Sequence, residues 1–532
     1  MAIETLLSLA AEYGHDLYPS ASASSLSLSS GAHLGASGTA KEVQNWWPSK
    51  GSADADLLPD LAVLRERSRD ITRNNGIGAG IVQTTHDNVV GAGARLKAKP
   101  DFRALGKSRE WAAEWGQKTE ARWRAYAETK ESDAAWTLTF AAQTGQVFRA
   151  GLVNGEAIAL PLWLPWKGST FQTRFQVVES DRLCNPDNRA DTDKLRGGVE
   201  LDRYGRPVAY HIRKTHPGDM SWGINAPGEW ERIPSETSWG RARVLHIHEK
   251  ERTGQTRGKP LLAAVLPQFR MADTYVRTEM QAALINAFVA AFMETPLPAE
   301  DVATMLGADT NDAKWQDYAN NQAQYIAPLR GAAIIPVMPG TKMTPWAPAR
   351  PSDQFTAFTE AVYQHIGVGV GLPRELLLKD FSKTNYSSAR ASLLEAYRFF
   401  VGRRRWLTDF WLNPVYILWL EEQVNGGFIE APGFYENMYA YGRCVWGWPP
   451  RGWVDPVKEA EATKVRMAIG ISTLERECAE QGEDWEDVQD QRALEMRRLE
   501  ELGLPAQTPI LPGAPGSFIP DTGDDAQEVM PA

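Results

Sequence analysis

The chain has 532 residues, 43% hydrophobic and 23% charged, an ordinary globular usage that excludes a disordered or fibrous protein and is long enough for several packed units. Its net charge of −10 excludes a protein that wraps DNA non-specifically, which would need a basic excess to neutralise phosphate. Part of that acidity is local, because Glu500, Glu501, Asp521, Asp524, Asp525 and Glu528 stand in 499–532 with no Lys or Arg, leaving a mildly acidic body.

The start, Met1 to Ala11, is apolar but lacks a basic leader and is interrupted by Glu4, so no signal peptide is expected. No apolar run approaches the roughly 20 residues needed to span a membrane. Residues 19–40 are rich in Ser, Ala and Gly and carry no formal charge before Lys41, which predicts a flexible arm over 1–50. From Asp54, Leu57, Leu61, Leu64 and Ile71, then Ile77 and Ile81 after Asn75-Gly76, predict two helices joined by a turn. A further helix over 108–129 carries Trp111, Trp115, Trp123 and Tyr126 as a buried stripe.

From about Val147 to His248 the signals are mostly strand-like: 171–178, 199–201, 208–212 and 244–247, with a hairpin turn at 202–207. A helix of about 33 residues is expected over 259–293, with Pro260 near its first turn, a bend at Pro267 and a stop at Pro296 and Pro298. A strand at 332–338 and a helix at 354–370 follow. A loop at 379–386 then leads into a long helical stretch, 388–424, kinked at Pro414. Shorter amphipathic helices run from 455 to about 503, before a Pro-rich acidic tail. The fold class is α+β, mainly helical.

Chemistry-bearing motifs are few. Gly106-Lys107-Ser108 lacks the upstream glycine of a phosphate loop, since Asp101 holds that position, and reads as a helix start. His246 and His248, two apart in a strand, fall on one face and could ligate a metal with a third group; a metal-dependent hydrolase centred on them is the rival reading. Asp181, Asp187, Asp191 and Asp193 cluster with Asn and Pro186 as turns do. No nucleophile elbow is present. Cys184, Cys444 and Cys478 are widely separated with no paired framework, which points to a reducing compartment, so that the protein is expected to act in the cytoplasm or in a particle assembled there. No catalytic residue, metal or cofactor is therefore assigned. Arg390, Arg398, Arg403, Arg404 and Arg405, with Lys383, form a basic run that could meet DNA phosphate or an acidic neighbouring subunit. The 20 Trp residues suit core and assembly more than base stacking.

Several stretches, in order, resemble the lambda-type phage portal proteins: Arg73-Asn74-Asn75-Gly76, Phe171 with Arg174-Phe175 and Asn185-Pro186, and Gly254-Gln255-Thr256-Arg257-Gly258. Tyr386-Ser387-Ser388-Ala389-Arg390-Ala391-Ser392, Gly402-Arg403-Arg404-Arg405 and Ala468-Ile469-Gly470-Ile471-Ser472-Thr473 continue the order over roughly 50–490. The resemblance implies a ring of about twelve subunits at one capsid vertex, a closed heterologous assembly, with another capsid or tail-connector ring protein as a second rival reading. Double-stranded DNA would pass through it non-specifically, driven by a large terminase, with head-tail connectors and major capsid and scaffold proteins as further partners and no membrane. It implies a wing at 51–258, a first stem helix at 259–293, a clip with the second stem helix at 294–330 and a wing strand at 331–353. A helix, tunnel loop and long kinked helix would occupy 354–425, a crown 426–500 and a disordered tail 501–532. Lys379, Phe381, Lys383, Thr384, Asn385 and Tyr386 would then lie in the channel loop at 379–386, near DNA as sliding contacts rather than base readers.

Overall fold

The computed structural model describes residues 33–37, 40–219, 229–294, 333–337, 355–450 and 456–503. Most of the expected arm, the clip with its second stem helix and the tail beyond Gly503 therefore lie outside the described residues. The body opens with α1 (Ala53–Leu57), α2 (Leu61–Asn74) and α3 (Gly76–Val89). Asn75 makes the turn: its extended backbone ends α2, and its side chain caps α3 by accepting from Ile77 N and Gly78 N. A Cβ on Gly78 would sit 2.4 Å from Ile71 Cγ2, so the two helices cross where only glycine fits.

Strand β1 (Arg95–Ala98) precedes α4 (Arg109–Ala127), whose start is capped by Ser108. The Gly-Lys-Ser tripeptide is thus a helix start, and Trp115, Trp123 and Tyr126 bury the expected stripe. Strand signals were expected from Val147, but α5 (Phe140–Asn154) occupies that stretch. Its buried Phe140, Thr144, Val147, Phe148 and Leu152 repeat at helical spacing. Gly155, at φ 86°, ends α5 and turns the chain into β2 (Glu156–Trp163).

Strand β2 is the centre of an antiparallel sheet with β3 (Thr173–Val178) on one side and a later strand, Leu245–His248, on the other. Between them β4 (Leu195–Arg196), β5 (Val199–Leu201), β6 (Pro207–Arg213) and β7 (Trp230–Pro234) form a second sheet in chain order, and Leu245–His248 is β8. The expected hairpin turn is present: Asp202 Oδ1 accepts from Tyr204 N and Arg206 N, each at 2.8 Å. β2 is apolar on both faces. Ala157 and Ala159 join the main core, whereas Ile158 and Leu160 join a smaller one with Tyr210, Ile212 and Ile233.

The long helix expected over 259–293 is shorter. A 3-10 turn at Ala263–Val265 leads into α6 (Leu266–Phe288), 23 residues long, and β9 (Val289–Glu294) follows it, pairing in parallel with β10 (Ala333–Val337). Pro267 does not bend α6; it is the helix's second residue, where the missing N–H has no partner to lose. Next come α7 (Phe355–Val370), α8 (Arg374–Leu378) and α9 (Tyr386–Leu407), which continues through a π-helical turn, Thr408–Leu412, into α10 (Asn413–Asn425). The π turn stands immediately before Pro414, and its widened backbone accommodates the ring and the lost hydrogen bond.

Helix α10 runs through the middle of the main core, with Trp419 set edge-on to Trp123, centroids 5.1 Å apart, and Trp411 stacked on Phe140. The part expected as a crown, 426–500, divides. Ile429, Phe434, α11 (Met438–Tyr441) and β11 (Cys444–Gly447), which pairs antiparallel with β1, belong to the main core. α12 (Pro456–Ala468), α13 (Leu474–Glu480) and α14 (Trp485–Glu501) follow, and α14 buries none of its residues.

Candidate functional site

The loop at 379–386 is a closed turn between α8 and α9. Lys379 takes a left-handed backbone, φ 54°, that terminates α8, and Asp380 Oδ1 then accepts from Ser382 N at 2.9 Å and Ser382 Oγ at 2.6 Å. Thr384 Oγ1 donates to Phe381 O at 2.9 Å, and Asn385 caps α9 by accepting from Ser388 N at 2.9 Å. Phe381 is exposed at the tip. Lys383 meets Glu360 of α7 at 2.5 Å, and Arg374 reaches the same carboxylate at 3.4 Å. The hydrogen bond from Lys383 holds the Glu360 carboxyl below its usual range. Tyr386 is the first residue of α9.

The basic run does not form one surface. Successive helix residues point about 100° apart, so three adjacent arginines cannot share a face. Arg404 is the correction: it is buried, and its guanidinium donates to Val89 O at 3.1 Å, Asn88 O at 2.8 Å and Pro449 O at 2.9 Å, capping the C-terminal end of α3. A contact with DNA or another subunit is closed to it. Arg403 pairs with Glu249 at 2.5 Å, Arg405 with Asp409 at 2.7 Å and Arg398 with Glu395 at 3.0 Å, the last two on one exposed helical surface. Arg390, also exposed, lines a cleft with Thr463, Arg466 and Glu477.

The two histidines do share a face, their ring centroids 4.1 Å apart. His246 Nε2 lies 3.1 Å from Glu156 Oε2, but that carboxylate already holds two guanidinium groups, Arg257 at 2.5 Å and Arg65 at 2.8 Å, and accepts from Gly258 N at 2.9 Å. Burial pushes the Glu156 carboxyl up, yet Arg257 and Arg65 hold it well below the usual carboxylate range. Their positive charges oppose a metal cation at this place, and among the described residues no group of three ligand-type side chains is arranged to hold one. Burial pushes both His246 and His248 below the ordinary imidazole range, leaving them neutral.

The cluster explains the Gly254-Gln255-Thr256-Arg257-Gly258 stretch. Arg257 also donates to Leu183 O at 2.7 Å, Ser180 O at 3.0 Å and Gly197 O. Thr256 binds Asp54 of α1 through both N, at 2.7 Å, and Oγ1, at 2.6 Å. A Cβ on Gly258 would stand 2.0 Å from Gly155 O, so the backbones touch here. The clustered Asp and Asn residues behave as turn chemistry: Asp191 Oδ1 accepts from Gly197 N at 2.7 Å and from Asn185 Nδ2 at 2.8 Å. Sequence reading missed Glu156. Its signal was position, a charged residue directly after a helix-ending glycine and at the head of an apolar strand.

Residues 39–404 match the family described as phage portal protein, lambda family. The chain is 30% identical over 491 residues to portal protein B of Escherichia phage lambda, covering 89% of this chain and 91% of that protein. It is similarly 30% identical to the portal protein of Escherichia phage N15, with the same coverage. A chain from the virion of the native gene transfer agent particle is similar at 15% identity and a TM-score of 0.41, covering 80% of this chain and 93% of that one. The family match takes in the helical opening, the sheets of β2 to β8, the pinned Gly254–Gly258 stretch and the loop before α9, so the chain belongs to the lambda family of phage portal proteins.

Proposed function

We propose that copies of this chain close into a ring of about twelve subunits at one capsid vertex, through which double-stranded DNA enters and leaves the head. The observation that carries the reading is the relationship to portal protein B of phage lambda over 89% of the chain. The helices support it: α6 exposes Met271 and Met280, α7 Phe358 and Val368, and α9 Leu394 and Val401, apolar side chains that adjoining copies would cover. The family is structural rather than catalytic, so the work of packaging falls to a large terminase docked on the ring, with connectors, capsid and scaffold proteins as its other neighbours. The place of action is the virion. Native mass spectrometry with negative-stain imaging is expected to give a closed ring with a central hole; a protein that stays monomeric alone and with scaffold protein would overturn the reading.

The loop at 379–386 is the part of this reading nearest to DNA. Lys383 and Tyr386 are its candidate contacts. Because Lys383 is in an exposed ion pair, Lys383→Ala should change stability by no more than about 1 kcal/mol. Particles carrying Lys383→Ala, alone or with Tyr386→Ala, should package or retain less DNA, and the single variant should assemble normally. Equal DNA content in mutant and parent particles would remove these residues from the channel.

A further inference from the structure

Trp136 and Trp166 form a prebuilt aromatic surface that belongs to neither hydrophobic core. Their rings lie 4.5 Å apart, and each remains 37% exposed. Beneath them is the guanidinium of Arg174, 4.8 Å and 4.5 Å from the two ring centroids. Arg174 itself is fully buried and fixed by Glu131 O at 2.7 Å, Glu131 Oε2 at 2.6 Å and Phe171 O at 3.2 Å. Trp136 takes φ 56°, a left-handed backbone that a bulky residue adopts only when its surroundings impose it. Asp133 imposes it, since Oδ2 accepts from Thr137 N at 2.9 Å, Thr137 Oγ1 at 2.7 Å and Leu138 N at 3.0 Å. The fold thus sustains local strain to hold a large apolar ring at the surface. Trp163, 56% exposed at the end of β2, adds to the aromatic character of the same segment.

The occupant is suggested by the chain's own sequence past Gly503. Pro509, Pro512 and Pro515 are spaced three apart, and the polyproline II helix has three residues per turn, so in that conformation all three rings fall along one edge. Proline edges of this kind dock on aromatic-lined surfaces, because the peptide loses little entropy on binding. Asp521, Asp524 and Asp525 follow, matching the exposed Lys167 next to Trp166 in sequence. Extended at about 3.1 Å per residue, the stretch from Gly503 to Pro520 reaches about 50 Å, a distance on the scale of one subunit.

We propose that the Trp136–Trp166 surface is a docking site for the proline-rich segment 505–520 of this chain. The test uses the full chain with Phe518 replaced by p-benzoylphenylalanine, a photo-cross-linker, and maps the adducts by mass spectrometry. Adducts should fall on 131–137 or 163–171. Changing Pro509, Pro512 and Pro515 together to Ala should weaken the contact about tenfold, the scale of one lost anchor, and Trp166→Ala should do the same. Should Trp166→Ala fail to fold, the proline variant still decides, because it leaves 40–503 untouched. Adducts on another surface, or yields that survive the proline replacements, would overturn the proposal. So would a yield that responds to Asp521→Asn, Asp524→Asn and Asp525→Asn but not to the prolines.

Discussion

Replacing Arg257 by alanine should lower the unfolding free energy by about 3–5 kcal/mol, the scale for stripping one partner from a buried ion pair. Glu156 is fully buried and Arg257 only 2% exposed, so water cannot replace what the guanidinium supplies. Without it the Glu156 carboxylate keeps Arg65, at 2.8 Å, but three carbonyl oxygens, those of Leu183, Gly197 and Ser180, lose this buried donor. Arg257→Lys should restore little, because an ammonium cannot fork between a carboxylate and three carbonyls. Chemical denaturation of the purified protein is the check. A midpoint for Arg257→Ala within experimental error of the parent would show that the cluster does not hold these elements together.

The same cluster fixes the direction of the acid response. Glu156 has its carboxyl held below the ordinary 4.5, so its contribution is present above that value and is lost only as pH falls through its low folded pKa. His246 and His248 are depressed below 6.5 by burial, so the stability linked to their neutral forms is complete above 6.5 and erodes as pH falls beneath it. Acid weakening should therefore begin near pH 6.5, from the histidines, and steepen later with the carboxylates. His248→Phe, a substitution without a proton to gain, should flatten the upper part of that curve, and an unchanged slope between pH 6.5 and 5 would assign the acid response to other groups.

Periodicity made most helices legible, and the turns were legible where Asp202 or Asn75 could form their local hydrogen bonds. The end of α5 fell inside 147–248, a stretch read as mostly strand-like from its later segments, although the buried residues of α5 keep a helical period. The fates of Arg403, Arg404 and Arg405 were not legible. One chemical type repeated three times gives one exposed i,i+4 pair, one half-buried pair and one interior cap, according to which direction meets the core. The partnership of Glu156 with Arg257 spans 101 residues of sequence, a separation over which no local pattern carries information. The resemblance pointed to Gly254–Gly258 without a reason, and the reason is this partnership together with the contact of Gly258 against Gly155. In the loop at 379–386, sequence gave the position, but the link from Lys383 to Glu360 depends on how α7 packs beside α8.

Lys97→Ala should release the α13–α14 unit from the body, at a cost of about 2 kcal/mol, between the values for exposed and buried pairs. Arg95 and Lys97 alternate along β1 and so share one face, and Lys99 follows directly after its end. Each meets an acid from the end of the described chain: Arg95 with Glu483 at 3.4 Å, Lys97 with Asp484 at 2.6 Å and Glu486 at 2.7 Å, and Lys99 with Glu475. α14 buries none of its residues fully, so these ion pairs are the polar part of the attachment. Lys97 is the centre of it, with Glu120 also 3.7 Å away. Burial raises the Glu120 carboxyl to about 7 from 4.5, against the attraction of Lys97 and the hydrogen bond from Ala98 N, with repulsion from Asp484 and Glu486 adding to the rise. A raised carboxyl favours the fold below 4.5 and loses that contribution as pH climbs through 7, so the attachment should weaken from pH 6 to pH 8 and Glu120→Gln should abolish the trend. In Lys97→Ala three carboxylates would face one another without that ammonium, and the loss should be larger at pH 8 than at pH 6. Hydrogen exchange over 474–501 reads this directly: opening should become roughly thirtyfold more frequent for a loss of this size. High salt should add to the effect by screening Arg95–Glu483, the most exposed pair. Exchange in Lys97→Ala equal to the parent at both pH values would mean that contacts other than these ion pairs carry the attachment.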